Sequence, residues 1–97
     1  MLTSKDRAAL RKIANSLDTI LQVGKGGIGE QVIKQADDAL EAREIIKGKV
    51  LENAPAFARE VAEELAAATN SDVVQVIGYR FVLYKESVEH KSIVLVK

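Results

Sequence analysis

The sequence contains no cysteine, a single histidine, two tyrosines and two phenylalanines. The absence of cysteine excludes disulfide scaffolds, thiolate zinc sites and cysteine nucleophiles. His90, the only histidine, lies in a charged segment without the partners that a metal site or a Ser/His/Asp triad requires. Because no other catalytic constellation is present, we expect a protein that is not an enzyme and that uses no cofactor or metal.

Charge of one sign is not in excess, because 14 Lys and Arg residues balance 14 Asp and Glu residues. A net charge of zero gives the whole molecule no attraction to nucleic acid or to a membrane surface. The first 50 residues nevertheless hold nine basic against seven acidic residues, so a nucleic-acid site is expected mainly in that half. The N-terminus has no long apolar run, and we expect a cytoplasmic protein without a signal peptide or membrane contact.

Helical periodicity is present in three segments of what we expect to be a single domain over residues 1–97. Apolar residues recur three and four positions apart, which predicts amphipathic helices at 4–16, 29–42 and 53–70. Ser4 is available to cap the first helix. Pro55 is tolerated only in a first turn, so the third helix is predicted to begin at Asn53 or Ala54. Its apolar stripe is expected to be Phe57, Val61, Leu65 and Ala68.

Runs of β-prone residues predict four strands in the rest of the chain. Residues 19–23 end at a glycine, residues 44–51 alternate in polarity, and residues 72–85 form two strands around a turn at Gly78-Tyr79. The order α-β-α-β-α-β-β predicts an α/β fold, a two-layer sandwich with a four-stranded mixed sheet. Its strand-helix-strand unit gives a parallel pair of strands, and its hairpin gives an antiparallel pair.

The segment VGKGGIGEQVI, residues 23–33, places a glycine-rich loop between a predicted strand and a predicted helix. Gly24, Gly26 and Gly29 fit the dinucleotide pattern G-x-G-x-x-G, and Glu44 has the spacing of its ribose-binding acid. However, Glu44 stands at the beginning of the second strand rather than at its end, and the chain is too short for a doubly wound sheet. A small nucleotide-binding protein is therefore the alternative, not the leading interpretation.

The same loop contains the pattern G-x-x-G, from Gly24 to Gly27, with Lys25 near its tip. Glycines allow a backbone to approach an anion closely, and the helix that follows presents unpaired N–H groups. These properties suit one phosphate of a polymer. A strand-to-helix turn without any ligand explains the glycines equally well from loop chemistry alone.

Basic side chains on the strands predict a charged sheet face. Lys47 and Lys49 share one side of their strand, and alternation on the last strand places Arg80 and Tyr84 opposite the core-facing positions. Lysine, arginine and an aromatic ring on one surface are typical of proteins that bind single-stranded nucleic acid. A solvated strand face with no ligand is the other explanation of this pattern.

Three blocks, in order along the chain, carry a resemblance to a known family. They are VGKGG at 23–27, ALEAREIIKGKV at 39–50 and VVQVIGYRFVLYK at 73–85. The chain resembles the bacterial YhbY-like proteins, which are single copies of the CRM domain (chloroplast RNA splicing and ribosome maturation). The resemblance covers about residues 2–86 and leaves the tail, 87–97, outside the core.

The resemblance implies a fold similar to the C-terminal domain of bacterial translation initiation factor three, and it implies RNA binding. Bacterial members of the family are associated with precursors of the large ribosomal subunit. We therefore expect an assembly factor that contacts large-subunit ribosomal RNA or a pre-ribosomal particle. We expect it to act as a monomer and to take no small-molecule substrate.

The family's loop falls on Gly24, Lys25, Gly26 and Gly27, and its basic strand run falls on Lys47 and Lys49. The basic back of the first helix and the last strand complete the predicted RNA-binding set with Arg11, Lys12, Arg80, Tyr84 and Lys85.

Two positions depart from the family pattern. Gly48 stands where the family usually has a β-branched residue, which predicts a weakened or bulged strand. Lys85 stands where the family usually has arginine, so the charge is kept and the planar guanidinium is lost. The zero net charge is low for an RNA-binding protein, and it predicts modest affinity with strong salt dependence.

Overall fold

The protein is described by a computed structural model that covers residues 2–87. Its elements are α1 (Ser4–Ala14), β1 (Thr19–Val23), α2 (Glu30–Arg43), β2 (Ile45–Val50), α3 (Ala58–Thr69), β3 (Asp72–Ile77) and β4 (Arg80–Tyr84). The predicted α/β class, the order of elements and the four-stranded mixed sheet are confirmed. From its β-prone sequence, the IVLV run at 93–96 is a candidate edge strand, and it lies outside the described residues. Within 2–87, no helix has the length and apolar character needed to cross a membrane.

The strands lie in the order β1-β2-β4-β3, with β1 and β2 parallel and the other neighbours antiparallel. The carboxyl ends of β1, β2 and β3 therefore lie at the same end of the sheet, which we call the loop end. Backbone hydrogen bonds join the segments there, since the Leu51 N–H donates to the Val23 carbonyl at 2.8 Å and the Val50 N–H donates to the Tyr79 carbonyl at 2.7 Å. The glycine loop, the segment after β2 and the β3-β4 turn are consequently neighbours.

The main core lies between the sheet and the layer formed by α2 and α3. Phe81 and Leu83 of β4 are fully buried there against Leu40 of α2 and Leu65 of α3. The opposite face of the sheet carries a second, smaller core, which is formed with Leu10 and Ala14 of α1 and includes the side chains of Ile45, Val82 and Tyr84. Helix α1 thus covers the part of this face that is far from the loop end, and it leaves the near part open.

Gly48 is fully enclosed by the fold, and it does not break β2. Its Cα lies opposite Phe81 of β4, and a Cβ built at Gly48 would approach Phe81 Cζ to 2.3 Å. The ring of Phe81 occupies the space that a β-branched side chain would need. The predicted bulge is found in the neighbouring strand instead, because the β1-β2 register shifts between Thr19 and Leu21, opposite Lys47 and Gly48.

Two helix starts differ from the sequence prediction. The cap of α1 is Thr3 rather than Ser4, and it forms a capping box in which Thr3 Oγ1 accepts from the Asp6 N–H at 3.0 Å. Helix α3 begins at Ala58 rather than at residue 53 or 54, because Pro55 packs against the glycine loop instead of starting the helix. Its predicted stripe is correct for the buried Val61 and Leu65 and wrong for the exposed Phe57 and Ala68, since the buried face is formed with Ala62, Ala66 and Thr69.

Glu44 ends α2 with a positive φ of 64°, and its side chain is fully buried. Its N–H donates to the Leu40 carbonyl at 2.7 Å, and its own carbonyl accepts from the Lys85 N–H at 2.9 Å. Its carboxylate Oε2 accepts from the Ser87 N–H, also at 2.9 Å. Glu44 therefore fastens residues 85–87 to the junction of α2 and β2. The buried carboxylate is not available to a ribose, which removes the acid that the nucleotide-binding alternative needs.

Replacement of Glu44 by alanine is expected to lower the free energy of unfolding by about 2 kcal/mol, because the buried Ser87 N–H loses its charged acceptor. Urea denaturation followed by circular dichroism measures this loss. Glu64→Ala, which removes an exposed acid of α3, is the control and should change stability by less than about 0.5 kcal/mol. Equal midpoints for the two variants would show that the buried carboxylate does not fasten residues 85–87.

Candidate nucleic-acid interface

The G-x-x-G segment forms a tight turn directly after β1. The Gly27 N–H donates to the Gly24 carbonyl at 2.9 Å, which closes a four-residue turn with Lys25 and Gly26 at its exposed tip. Gly27 has φ of 67°, and a Cβ there would lie 3.2 Å from Pro55 Cγ. The base of the turn is therefore held in place by the contact of Gly27 with the segment after β2, while its tip projects into solvent.

Gly26 is not required by the fold. Its φ is not positive, and a Cβ built on it would meet nothing within 4 Å. A side chain would thus fit the protein at this position, but it would obstruct anything that approaches the tip of the turn. The missing side chain at Gly26 leaves the backbone of the tip open to a close ligand.

A row of four residues crosses the open part of the sheet at its loop end. The paired positions are Gln22 of β1, Lys49 of β2, Arg80 of β4 and Ile77 of β3. Lys49 and Arg80 are direct cross-strand neighbours, and like charges in that arrangement destabilise a sheet. Within residues 2–87, neither of them nor Lys25 forms a salt bridge. These positive charges lack an anionic partner in the described chain.

Lys47 lies two residues before Lys49 on the same face of β2. It is therefore further from the loop end, at the point where α1 begins to cover the sheet. Its Nζ donates to the carbonyl of Ala14, the last residue of α1, at 3.4 Å. Asn15, Gln75 and Arg80 line the same cavity of about 170 Å³ beside Lys47. We call Lys25, Lys47, Lys49 and Arg80 the basic face.

The two residues of α1 that were predicted for the site, Arg11 and Lys12, are both exposed. Arg11 lines a shallow groove along β3 together with Arg7 and Arg59. Arg7 is held in place by donating to the Val73 carbonyl. Strand β3 lies at the opposite edge of the sheet from β1, so the structure does not place Arg11 beside the turn. Lys12 is exposed in the last turn of the same helix.

Two residues predicted for the site lie elsewhere. Tyr84 is buried beneath α1 in the second core, so the expectation that its ring joins the exposed basic side is wrong. The reason is that α1 covers this end of the sheet. Lys85 follows β4 at the end opposite the glycine turn, and its Nζ lies 3.6 Å from Asp37 Oδ1 of α2. The structure does not bring Lys85 together with the basic face.

Sequence reasoning missed two aromatic rings at the loop end. Tyr79, in the β3-β4 turn, is 55% exposed, and Phe57, in front of α3, is 77% exposed. The sequence pattern predicts only a turn position for Tyr79 and a buried stripe position for Phe57. The signal available in the sequence is the turn position of Tyr79, one of only four aromatic residues, whereas Phe57 falls inside the predicted helix and gives no such signal.

The fold and its loop end define a small α/β domain that presents a glycine turn beside a basic sheet face, whose Lys49 and Arg80 form no salt bridge within residues 2–87. Residues 2–85 match the model of the CRS1 / YhbY (CRM) domain, and the chain belongs to this family.

Relatives and a solved structure agree with that assignment. The chain is 50% identical over 95 residues to the "Probable RNA-binding protein YqeI" of Bacillus subtilis, covering 98% of this chain and 99% of the relative. It is 30% identical over 90 residues to a Haemophilus influenzae protein named "RNA-binding protein", covering 93% and 91% of the two chains. The solution structure of SAV1595 from Staphylococcus aureus superposes with a TM-score of 0.81 at 52% identity, covering 99% of this chain and all of that one.

Proposed function

We propose that the protein binds RNA, and that the glycine turn and the basic face contact the RNA backbone. The observation that carries the proposal is the open tip at Gly26 beside Lys49 and Arg80, which are adjacent cations with no salt bridge in the described chain. A phosphate at the turn would receive backbone N–H groups, and neighbouring phosphates would be neutralised by the lysine and arginine side chains. The names of the relatives support the same ligand.

The biological role that we propose is assembly of the large ribosomal subunit, in the cytoplasm and without catalysis. Its support is the resemblance to YhbY-like proteins, whose bacterial members are associated with precursors of that subunit. Crosslinking in cells, followed by sequencing of the attached RNA, tests this role. We expect reads that concentrate in large-subunit ribosomal RNA, and an even spread over cellular RNAs would contradict it.

Replacement of Gly26 by aspartate is expected to weaken binding of single-stranded RNA about tenfold or more, because the new carboxylate stands where a phosphate would approach. The fold should be unaffected, since the space around Gly26 is open and its φ is not positive. Fluorescence anisotropy with a labelled RNA measures the affinity, and a thermal melt checks the fold. Gly27 is unsuitable for this test because its conformation and its contact with Pro55 require glycine.

Asn70→Asp is the matched control for this variant. It introduces the same charge at the exposed cap of α3, where a left-handed conformation suits aspartate as well as asparagine. We expect its affinity for RNA to stay within about twofold of the original protein. Equal losses of affinity in the two variants would mean that net charge, and not the turn, determines binding.

A further inference from the structure

A pocket adjoins the glycine turn on the side away from the basic face. It has a volume of about 220 Å³ and is lined by residues of the segment after β2, the first turn of α3 and Tyr79. Pro55 and Leu51 belong to both features, because they line the pocket and also pack under Gly27 and Gly24. The volume is below the roughly 300–1,000 Å³ of pockets that hold drug-sized ligands, and it suits a single flat ring.

The stability of the fold does not explain why residue 57, at the mouth of this pocket, is a phenylalanine. It occupies the N-cap of α3, where serine, threonine, aspartate or asparagine is preferred, and it makes no side-chain capping hydrogen bond. Its ring is 77% exposed, so it contributes little to the core. With the half-exposed Tyr79 on the same pocket, it provides an aromatic surface of the kind on which unstacked bases lie.

The charge of the pocket indicates which part of a nucleotide it accepts. Glu52 and Glu60 both line it, and no salt bridge within residues 2–87 involves either of them. Two carboxylates repel a phosphate, so the backbone would stay at the turn and on the basic face. A carboxylate accepts hydrogen bonds from an exocyclic amino group, as in the pairing of Glu or Asp with cytosine N4. Uracil carries a carbonyl oxygen at that position, which a carboxylate cannot pair with.

We propose that this pocket holds one unstacked nucleobase that bears an exocyclic amino group, next to the phosphate held by the glycine turn. Phe57 and Tyr79 stack on the base, and Glu52 and Glu60 accept its amino hydrogens. The proposal rests on the RNA-binding function proposed above. It adds a preference for cytosine over uracil to binding that would otherwise depend on the backbone alone.

The test compares octanucleotides of cytidine and of uridine by fluorescence anisotropy at one salt concentration. We expect the cytidine RNA to bind about tenfold more tightly to the original protein. In the double variant Glu52→Gln, Glu60→Gln this ratio should fall below about threefold, because an amide both donates and accepts and so pairs with either base. Glu63→Gln with Glu64→Gln, on the exposed side of α3, is the matched control and should keep the original ratio.

Phe57→Ser gives a second readout that separates stacking from stability. Serine caps α3, so the melting temperature should rise by about 4 °C. Affinity for both RNAs should fall about tenfold through the lost stacking. Unchanged affinity in Phe57→Ser, or equal affinity of the original protein for the two RNAs, would overturn the base pocket. If Gly26→Asp still weakens binding in that case, the proposed RNA-binding function stands without the pocket. If neither RNA binds the original protein, both proposals fail.

Discussion

Replacement of Gly48 by valine is expected to lower the free energy of unfolding by about 3 kcal/mol, because the added side chain overpacks a filled core. A Cβ at this position would lie 2.3, 2.6 and 2.9 Å from three atoms of the Phe81 ring. The ring is fully buried in the main core. The sign of the effect is informative, since valine in place of glycine ordinarily stabilises a strand. Denaturation in urea measures the change.

A double-mutant cycle identifies the ring as the cause. Phe81→Ala alone should cost about 3–5 kcal/mol, because it leaves a cavity in the main core. Valine at position 48 would fill part of that cavity, so the two changes together should cost less than their sum by at least about 1 kcal/mol. Gly26→Ala, at a glycine with open surroundings, is the control and should be nearly neutral. Strict additivity of the two core substitutions would contradict the steric account of Gly48.

Reversal of charge on the basic face should have the largest effect on RNA binding. The double variant Lys49→Glu, Arg80→Glu changes the local charge beside the RNA backbone by four units. Each unit should cost about 0.5–1 kcal/mol of binding free energy in a hydrated interface. We therefore expect a loss of affinity on the order of a hundredfold. If the four cations of the basic face neutralise four phosphates of a single strand, the log-log salt slope of the original protein should be about −3. In the double variant the magnitude of this slope should be smaller by about 1.4.

Lys34→Glu with Arg59→Glu is the matched control for the charge reversal. It makes the same change in net charge on the exposed surfaces of α2 and α3, which cover the other face of the sheet. Its affinity should fall by less than about threefold, and its salt slope should stay the same. Equal losses in the two double variants would show that total charge, rather than this sheet face, governs binding.

Local chemistry made much of the fold predictable from the sequence. Strand β1 ends where the glycines begin, and the hairpin turns at Gly78-Tyr79, where Gly78 has φ of 58°. Helix α3 ends at Asn70, whose left-handed conformation satisfies the helix terminus. The glycine turn was found for the same reason, because its geometry is encoded in four consecutive residues.

The features that the sequence predicts wrongly depend on contacts between segments that are distant in the chain. Pro55 fits the first turn of a helix, but it packs on the glycine turn instead. Tyr84 alternates correctly onto the face of Arg80, yet α1 covers that end of the strand and leaves only the other end open. Glycine at position 48 is explained by Phe81, which lies opposite it on β4 and is distant from it in the chain. Alternation along a strand determines which face a side chain occupies, but it does not determine what covers that face.

We propose that RNA lies across the glycine turn and the basic face, and amide NMR during titration with single-stranded RNA tests this placement directly. We predict that the largest shift changes occur at residues 24–27, Lys49 and Arg80. Lys34 and Asp38, on the exposed surface of α2, should be unaffected. Shift changes centred on α2 and α3, with none at residues 24–27, would contradict this placement of the RNA.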